Sequence, residues 1–211
     1  MIILGKWDWV GWVGVGIVLG ATFTASKKNP EYLRLEDRIT PHDPIVRKNA
    51  IQIVSSHSGS YHAEQLFDIF DYMRNLNYVD DPYPDHIALP KDTLEAGGGD
   101  CDDFAVTTAS LIEAIGGTAR VVTVTDNILG HAFCEVYIGK EGSMKPIIPI
   151  IQRRYGHVSI AWEYDSGGEW FLFDTLLPTP GLLYSDFVII SENTWNWRPD
   201  IIRKNYCAHD S

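Results

Sequence analysis

Cys101 lies in a segment whose residue types suit a thiol nucleophile. Three glycines at positions 97–99 and Asp100 precede it; glycine lets another molecule approach the main chain closely, and aspartate is a preferred helix N-cap. The segment therefore predicts a helix that begins at or next to Cys101. A helix N-terminus favours the thiolate form of a cysteine, and its free N–H groups can hold a developing oxyanion. Asp102 and Asp103 oppose the thiolate, so a protonated histidine is needed as its partner.

The residues after Cys101 predict a helix that is buried on all sides. Small or apolar residues fill most of it, namely Phe104, Ala105, Val106, Ala109, Leu111, Ile112 and Ile115. A helix that is apolar all round is buried, and a nucleophile at its tip is held rigidly. The alternative is that Cys101 is an ordinary small core residue, as free cysteines often are. The glycines and aspartates beside Cys101 disfavour this alternative.

His131 is the histidine whose surroundings best suit a catalytic base. It opens the segment HAFCEVYI, which alternates in the manner of a β-strand. The alternation places His131, Phe133 and Glu135 on one face and Ala132, Cys134 and Val136 on the other. Cys134 therefore points away from His131, and we predict that it belongs to the core. His157 also begins a predicted strand and is the rival base.

Asp174 is the predicted partner of the base. It ends the apolar segment at 170–173, just before Thr175. A carboxylate at that point can accept a hydrogen bond from an imidazole on a neighbouring strand and so fix the imidazole tautomer. The alternative is that Asp174 only ends the strand as a turn residue. Spacing alone does not separate these two interpretations.

These three segments together resemble the motifs of the transglutaminase-like superfamily of papain-like cysteine enzymes. GGGDCDDFA resembles the nucleophile motif of that family, and GHAFCEVYI resembles its histidine strand. Trp170 to Asp174, continued by TLLPTP, resembles its Trp-x-x-x-Asp-x-x-x-Pro pattern. The resemblance implies a catalytic triad of Cys101, His131 and Asp174, and it favours His131 over His157. Two differences are Gly117-Thr118 where the family often has Ile-Pro, and a longer stretch at 139–168.

The resemblance also implies a two-step acyl transfer through a thioester. We expect a protease or amidase that acts on a peptide or protein amide. The alternatives are a transamidase that cross-links glutamine to an amine, and a non-catalytic scaffold or binding module of the same fold. No metal or organic cofactor is expected. Tyr78 is a candidate for the second donor to the oxyanion.

Residues 9–25 form an apolar segment without a charged residue. Lys6 and Asp8 precede it, and Lys27 and Lys28 follow it. Its length reaches the lower limit for a membrane-spanning helix, about 17 residues. We therefore predict a membrane anchor; a cleaved signal peptide, which would give a secreted protein, and a buried core element are the alternatives. The excess of Lys and Arg after the segment favours a cytoplasmic catalytic domain.

The predicted elements place helices first, then the central helix, then antiparallel strands, which indicates an α+β fold. Helices are predicted at 44–56 and 61–77, and strands at 119–126, 131–138, 157–164, 169–174 and 187–190. Residues 78–92 are predicted as a loop, and 139–156 as an insertion or a long hairpin loop. The predicted divisions are an anchor or signal segment at 1–28, a linker and lead-in helix at 29–60, a papain-like or transglutaminase-like catalytic domain at 61–191, and an irregular tail at 192–211.

Composition excludes several other classes of protein. A formal net charge of -11 disfavours nucleic-acid binding. The three cysteines contain no CxxC pair, so neither a zinc cage nor a disulfide framework is predicted. The hydrophobic content of 45% predicts a chain that folds around a core. The sequence makes no prediction about oligomeric state.

Overall fold

The computed structural model describes residues 35–81, 86–125, 130–158, 160–165, 167–182, 191–194 and 202–206. The helices in these ranges are α1 (Leu35–Arg38), α2 (Pro44–Ile53), α3 (Ala63–Arg74), α4 (Pro90–Ala96), α5 (Cys101–Ala114) and α6 (Ile148–Tyr155), with a 3-10 turn at Val54–His57. The strands are β1 (Asn77–Tyr78), β2 (Gly98–Gly99), β3 (Ala119–Thr125), β4 (Gly130–Gly139), β5 (Ile160–Asp165), β6 (Gly168–Phe173), β7 (Ser191–Thr194) and β8 (Ile202–Tyr206).

The main sheet is antiparallel and has the order β7-β3-β4-β6-β5-β8. Helix α5 packs against β3 and β4, and α2, α3 and α4 pack around α5. Residues 103–112 of α5 are all buried, because their side chains are apolar or small on every side of the helix. The prediction of a buried central helix on an antiparallel sheet, preceded by helices, is therefore confirmed. Strands β1 and β2 form a separate parallel ladder.

The two helices predicted before α5 form at the predicted positions, with shorter ends. Asp43 caps α2 by accepting the N–H of Ile45 at 2.8 Å, and Pro44 occupies the first turn, where no N–H is needed. Helix α3 begins at Ala63 and ends at Arg74, inside the predicted range of 61–77. It buries an apolar stripe of Leu66, Phe67, Ile69, Phe70 and Met73. The chain leaves α3 three residues early because it enters β1 at Asn77.

The two faces of β4 are those that the alternation predicted. Ala132, Cys134 and Val136 are buried in the core beneath the helices. On the other face Glu135 is fully buried and accepts a hydrogen bond from Arg120 Nε at 2.6 Å. The prediction that Cys134 is a core residue is confirmed, and burial raises the pKa of its thiol. The reactive thiol of this sheet region is therefore not Cys134.

Residues 140–155 are more ordered than the predicted insertion or hairpin loop. The carboxylate of Glu169 accepts the N–H groups of Gly142 and Met144 at 2.9 and 2.7 Å, and helix α6 follows. Ile151 is fully buried, and Arg154 binds Asp68 on α3 at 2.9 Å. The prolines in this stretch indicated a loop, but Pro149 stands in the first turn of α6, where proline is tolerated. The stretch starts at the end of β4 opposite His131.

Three predictions outside the core are wrong, and a fourth concerns residues that the structure does not describe. Helix α4 begins at Pro90, within the predicted loop of 78–92, and β5 begins at Ile160 rather than at 157. The prediction of an irregular tail after 192 was wrong for 192–194 in β7 and for β8, which pair with β3 and β5 through backbone bonds. Such pairing depends little on the side-chain pattern that the prediction used. The predicted strand at 187–190 lies outside the described residues.

The predicted membrane segment at 9–25 also lies outside the described residues. In the part of the chain that the structure describes, no helix is long and apolar enough to cross a membrane. The predicted divisions at residues 28, 60 and 191 stay predictions.

Candidate active site

The three glycines before Cys101 are explained by local geometry. Gly97 ends α4 with a φ of 71°, a left-handed conformation that suits glycine. A Cβ on Gly99 would lie 2.6 Å from Asp103 Oδ2, so a side chain there would collide with that carboxylate. Gly98 and Gly99 pair with Asn77 and Tyr78. The β1–β2 ladder that leads to Cys101 therefore requires small residues at Gly98 and Gly99.

Asp103 joins the start of α5 to a neighbouring loop. Its side chain is 4% exposed, and its carboxylate accepts the N–H of Ala88 at 2.6 Å and the N–H of Asp100 at 3.4 Å. The Asp100 side chain in return accepts the N–H of Asp103, which completes a capping box. The sequence predicted only that Asp103 opposes the thiolate. An aspartate three residues after an aspartate N-cap was the signal that could have identified this role.

The capping box leaves two N–H groups of the helix end for another purpose. The N–H groups of Asp100 and Asp103 bind the box, and the N–H of Phe104 donates to Asp100 O at 3.0 Å. Within the described part of the chain, no acceptor takes the N–H groups of Cys101 and Asp102. Free N–H groups at a helix N-terminus carry partial positive charge. Cys101 is partly buried at this position and is the first residue of α5.

His131 lies between Cys101 and Asp174. Its Nε2 is 2.6 Å from Asp174 Oδ2, and its ring stacks on Phe133 with centroids 6.0 Å apart. Cys101 also hydrogen-bonds the imidazole. Burial alone would lower the pKa of His131, but the hydrogen bonds and charges of Asp174 and Cys101 outweigh burial and raise that pKa to about 9. The imidazole is therefore protonated at neutral pH.

Asp174 is positioned by the register of β4 and β6. Cys134 pairs with Phe173, so Asp174 comes at the same end of the sheet as His131. Its side chain is buried, and its Oδ1 accepts the N–H of Leu176 at 3.0 Å while Oδ2 faces His131. The structure therefore brings the three predicted site residues together. Their catalytic role stays a proposal.

His157, the rival base, is placed differently. It is exposed and precedes β5 in the loop after α6. Tyr78, the candidate oxyanion donor, is paired with Gly99 in the β1–β2 ladder and is 53% exposed. Tyr78 therefore belongs to a segment next to Cys101, and His157 does not.

Acidic side chains dominate the charge around Cys101. Burial, a hydrogen bond with Asp100 and the charges of Asp100, Asp103 and Cys101 together raise the pKa of Asp102 to about 9. Asp102 is therefore largely neutral at pH 7, which reduces the negative charge beside the thiol. Asp100, Asp102 and Asp103 each offer a carboxylate oxygen within 4.8 Å of the others, a spacing that could hold a metal ion. No metal was predicted from the sequence.

A cavity of about 510 Å³ lies at the opposite end of α5. Arg47, Ile51, Glu113 and Ile115 are among its lining residues. None of the three predicted site residues lines it.

Comparison with known proteins identifies the relatives of this chain. The model of the transglutaminase-like superfamily matches residues 47–175, more than half of the chain. A provisionally assigned cysteine protease from Cytophaga hutchinsonii is similar in structure, with 18% identity, a TM-score of 0.43, and coverage of 79% of this chain and 52% of that protein. Calcium-bound LapG from Legionella pneumophila is similar with 16% identity, a TM-score of 0.43, and coverage of 81% and 80%. This chain thus spans about half the length of the first of them. No curated protein matches it significantly.

Proposed function

Because this chain belongs to the transglutaminase-like superfamily, we propose that it is a cysteine-dependent amide hydrolase, a protease or amidase. Its proposed substrate is a peptide or protein amide, and its proposed intermediate is a thioester on Cys101. The observation that carries this proposal is the position of His131, which hydrogen-bonds Asp174 at 2.6 Å and also hydrogen-bonds Cys101. A nucleophile, a base and an orienting group in this order are the parts that covalent catalysis needs.

The first half-reaction forms the thioester. The protonated imidazole of His131 stabilises the Cys101 thiolate, which attacks the carbonyl carbon of the amide. A C–S bond forms while the C=O electron pair moves to oxygen, and the free N–H groups at the start of α5 stabilise that oxyanion. As the intermediate collapses, the C–N bond breaks and His131 gives its proton to the leaving amine.

The second half-reaction releases the acid. Neutral His131 takes a proton from water, and the water oxygen attacks the thioester carbonyl. The C–S bond then breaks, a carboxylic acid leaves, and the thiolate–imidazolium pair is restored. Asp174 holds the imidazole in one orientation throughout and stabilises its positive charge. The N–H of Leu176 in turn holds the Asp174 carboxylate.

Alkylation of Cys101 by iodoacetamide, followed by mass spectrometry against pH, tests the reacting pair. We expect Cys101 to react rapidly below pH 7, because an imidazolium partner stabilises the thiolate, and to lose that advantage in His131→Ala. A rate that rises only above about pH 8, as for an ordinary thiol, and is equal in His131→Ala would overturn the catalytic proposal in favour of a scaffold.

Casein with dansylcadaverine separates hydrolysis from transamidation. Release of acid-soluble peptides without labelling of the casein supports the proposed hydrolase. Covalent dansyl label on casein, dependent on Cys101, would instead support the transamidase alternative. Cys101→Ala is the control in both assays, since it removes the sulfur that must carry the thioester.

We also propose that residues 9–25 attach the enzyme to a membrane. The uncharged run between flanking lysines supports this proposal. Retention of the full chain in the membrane fraction after a carbonate wash is the expected result. Recovery of a chain that begins after residue 25, free of membrane, would support the cleaved signal peptide instead.

A further inference from the structure

The cavity at the C-terminal end of α5 has an apolar surface large enough to hold a small molecule. Ile51, Val54 and Ile115 contribute apolar side chains to its lining. Val54 is buried and Ile115 is partly buried against the core, whereas Ile51 is 54% exposed. The volume of about 510 Å³ falls within the usual range for small-molecule sites, about 300–1,000 Å³. A ligand that covers Ile51 and Ile115 removes this apolar surface from water.

Arg47 supplies a guanidinium group to this cavity. Its Nη1 donates a hydrogen bond to Ala114 O at 3.0 Å, which fixes the side chain across the end of α5. Among the residues that the structure describes, Arg47 forms no ion pair with a carboxylate. A guanidinium group carries several N–H donors in a planar fork that matches a carboxylate. Arg47 therefore has donors left for the carboxylate of a ligand.

Glu113 supplies the opposite charge. It lies in the last turn of α5 and lines the same cavity. Burial raises the pKa of its carboxyl group, and the N–H of Ala119 and the charge of His42 offset only part of this effect. Within the described part of the chain, Glu113 forms no ion pair, and the last carbonyls of a helix add partial negative charge beside it. This end of the cavity therefore favours an ammonium group.

The charges of the lining determine which class of ligand fits the cavity. Apart from Arg47 and Glu113, the lining residues that the structure describes carry no charge. A phosphate or another multivalent anion is disfavoured, because it would meet a single guanidinium group and a nearby carboxylate of its own sign. A ligand with one carboxylate, one ammonium group and an apolar body matches the charges and the apolar surface together. A short peptide of apolar residues with free ends has these three parts.

We propose that this cavity is a binding site for a short peptide of apolar residues, whose terminal carboxylate binds Arg47 and whose terminal ammonium group binds Glu113. The apolar side chains of the peptide cover Ile51 and Ile115. The site lies about 20 Å along α5 from Cys101, at 1.5 Å per residue of helix. The inference therefore goes beyond the proposed hydrolase and does not depend on the reaction at Cys101.

Isothermal titration calorimetry with L-leucyl-L-leucine tests this site. The full chain carrying Cys101→Ala is titrated, so that no turnover of the dipeptide contributes heat. We expect a dissociation constant at or below about 1 mM, which is ordinary for a ligand of this size. N-acetyl-L-leucyl-L-leucinamide has the same side chains but no charged end. It should bind at least about tenfold more weakly, because it forms no charge-assisted hydrogen bonds with Arg47 and Glu113.

Two substitutions in the same background test the two charges separately. Arg47→Gln and Glu113→Gln should each weaken binding of the dipeptide at least about fivefold. Glu113→Gln keeps the size of the side chain and leaves the hydrogen bond from Arg47 to Ala114 O intact, so its result does not depend on how well Arg47→Gln folds.

Lys48→Gln is the matched control, because Lys48 is exposed next to Arg47 on α2 but does not line the cavity. It should change the dissociation constant by no more than about twofold. Absence of binding at about 10 mM dipeptide would overturn the inference, and so would equal affinity for the uncharged analogue. Unchanged binding in either Arg47→Gln or Glu113→Gln would also overturn it, since the dipeptide would then bind in another way or elsewhere on the protein.

Discussion

His131 is the residue on which the proposed chemistry depends most. Burial works against its positive charge, and the carboxylate of Asp174 together with Cys101 restores it. Because the raised pKa of about 9 lies well above 7, the imidazole can act as an acid toward a leaving amine across the neutral range. The positive charge of His131 at neutral pH is therefore due to its surroundings, since an exposed histidine would lose most of that charge near pH 7.

Asp174→Asn should narrow the pH range of activity. In the wild type, the release of acid-soluble peptides from casein should slow as pH rises through about 9, where His131 loses the proton that the leaving amine needs. Asparagine removes the negative charge that raises this pKa, so the falling limb should move to lower pH. The rate at pH 8 should drop by about 10² or more, the usual worth of a positioned acid or base. A falling limb that stays in place would show that Asp174 does not set the proton affinity of His131.

At the scale of elements, the start of α5 is held by three chain segments. The Asp103 carboxylate binds the N–H of Ala88, the ladder binds Gly99, and the capping box binds Asp100. Each contact involves backbone, so the position of Cys101 depends on main-chain geometry more than on side-chain packing. Rigid support of this kind is what a nucleophile needs.

Gly99→Ala should destabilise the protein, because its new Cβ would lie 2.6 Å from Asp103 Oδ2 and 2.7 Å from Asp103 Cβ. Overpacking of this kind costs about 1–3 kcal/mol in the free energy of unfolding, measurable by urea titration. Gly130→Ala is the control, since no atom lies within 4 Å of the Cβ position at Gly130. Equal stability of the two variants would contradict the close approach at Gly99.

Ile151→Ala should show that α6 is part of the scaffold. Ile151 is the fully buried residue of α6, so its truncation leaves a cavity and should cost about 2–5 kcal/mol by urea titration. Ile51→Ala, at a side chain that is 54% exposed, should change stability by about 0.5 kcal/mol or less. The folded Ile151→Ala protein should keep its rate of casein hydrolysis within about threefold, because α6 packs on α3 through Arg154. A selective loss of rate at unchanged stability would instead place α6 at the substrate cleft.

Elements with local signals could be predicted from the sequence, and those set by distant contacts could not. The start of α5 follows from Asp100, the glycines and the apolar run after Cys101, all within one segment. Helix α6 depends on Glu169 and Asp68, which are far away in the chain. The grouping of Cys101, His131 and Asp174 was predicted only because three separate motifs together resemble those of one family. The hydrogen bond from the N–H of Ala88 to Asp103 was not predicted, because Ala88 carries no polar side chain.

For the whole molecule, a buried ionic cluster joins four strands of the sheet. Arg120 on β3 binds Glu135 on β4 at 2.6 Å, and Asp165 and Glu163 on β5 at 3.1 and 3.3 Å. Its guanidinium also lies 4.1 Å from the ring centroid of Trp170 on β6. The planar five-donor guanidinium suits several carboxylates at once, which an ammonium group does not.

Arg120→Ala should be among the most damaging changes outside the site. It leaves buried carboxylates without their cation, which typically costs about 3–5 kcal/mol. Thermal unfolding of Arg120→Ala, Arg120→Lys and wild type should show the order wild type, Lys, Ala in decreasing stability. Arg153→Ala is the control, because the Arg153 side chain is 67% exposed and a surface pair is worth about 1 kcal/mol or less. Equal effects at Arg120 and Arg153 would contradict a structural role for the cluster.

The two outermost strands, β7 and β8, determine how far this chain can be shortened. β7 pairs with β3 and β8 pairs with β5, so both edge strands of the sheet consist of residues that follow the end of the family match at 175. A recombinant fragment trimmed to that match would keep Cys101, His131 and Asp174 but would turn β3 and β5, which are longer than β7 and β8, into the edge strands. Exposed edge strands of this kind pair with strands from other copies of the protein. Such a fragment should therefore aggregate during purification, and an expression boundary placed after residue 206 should keep the protein monodisperse.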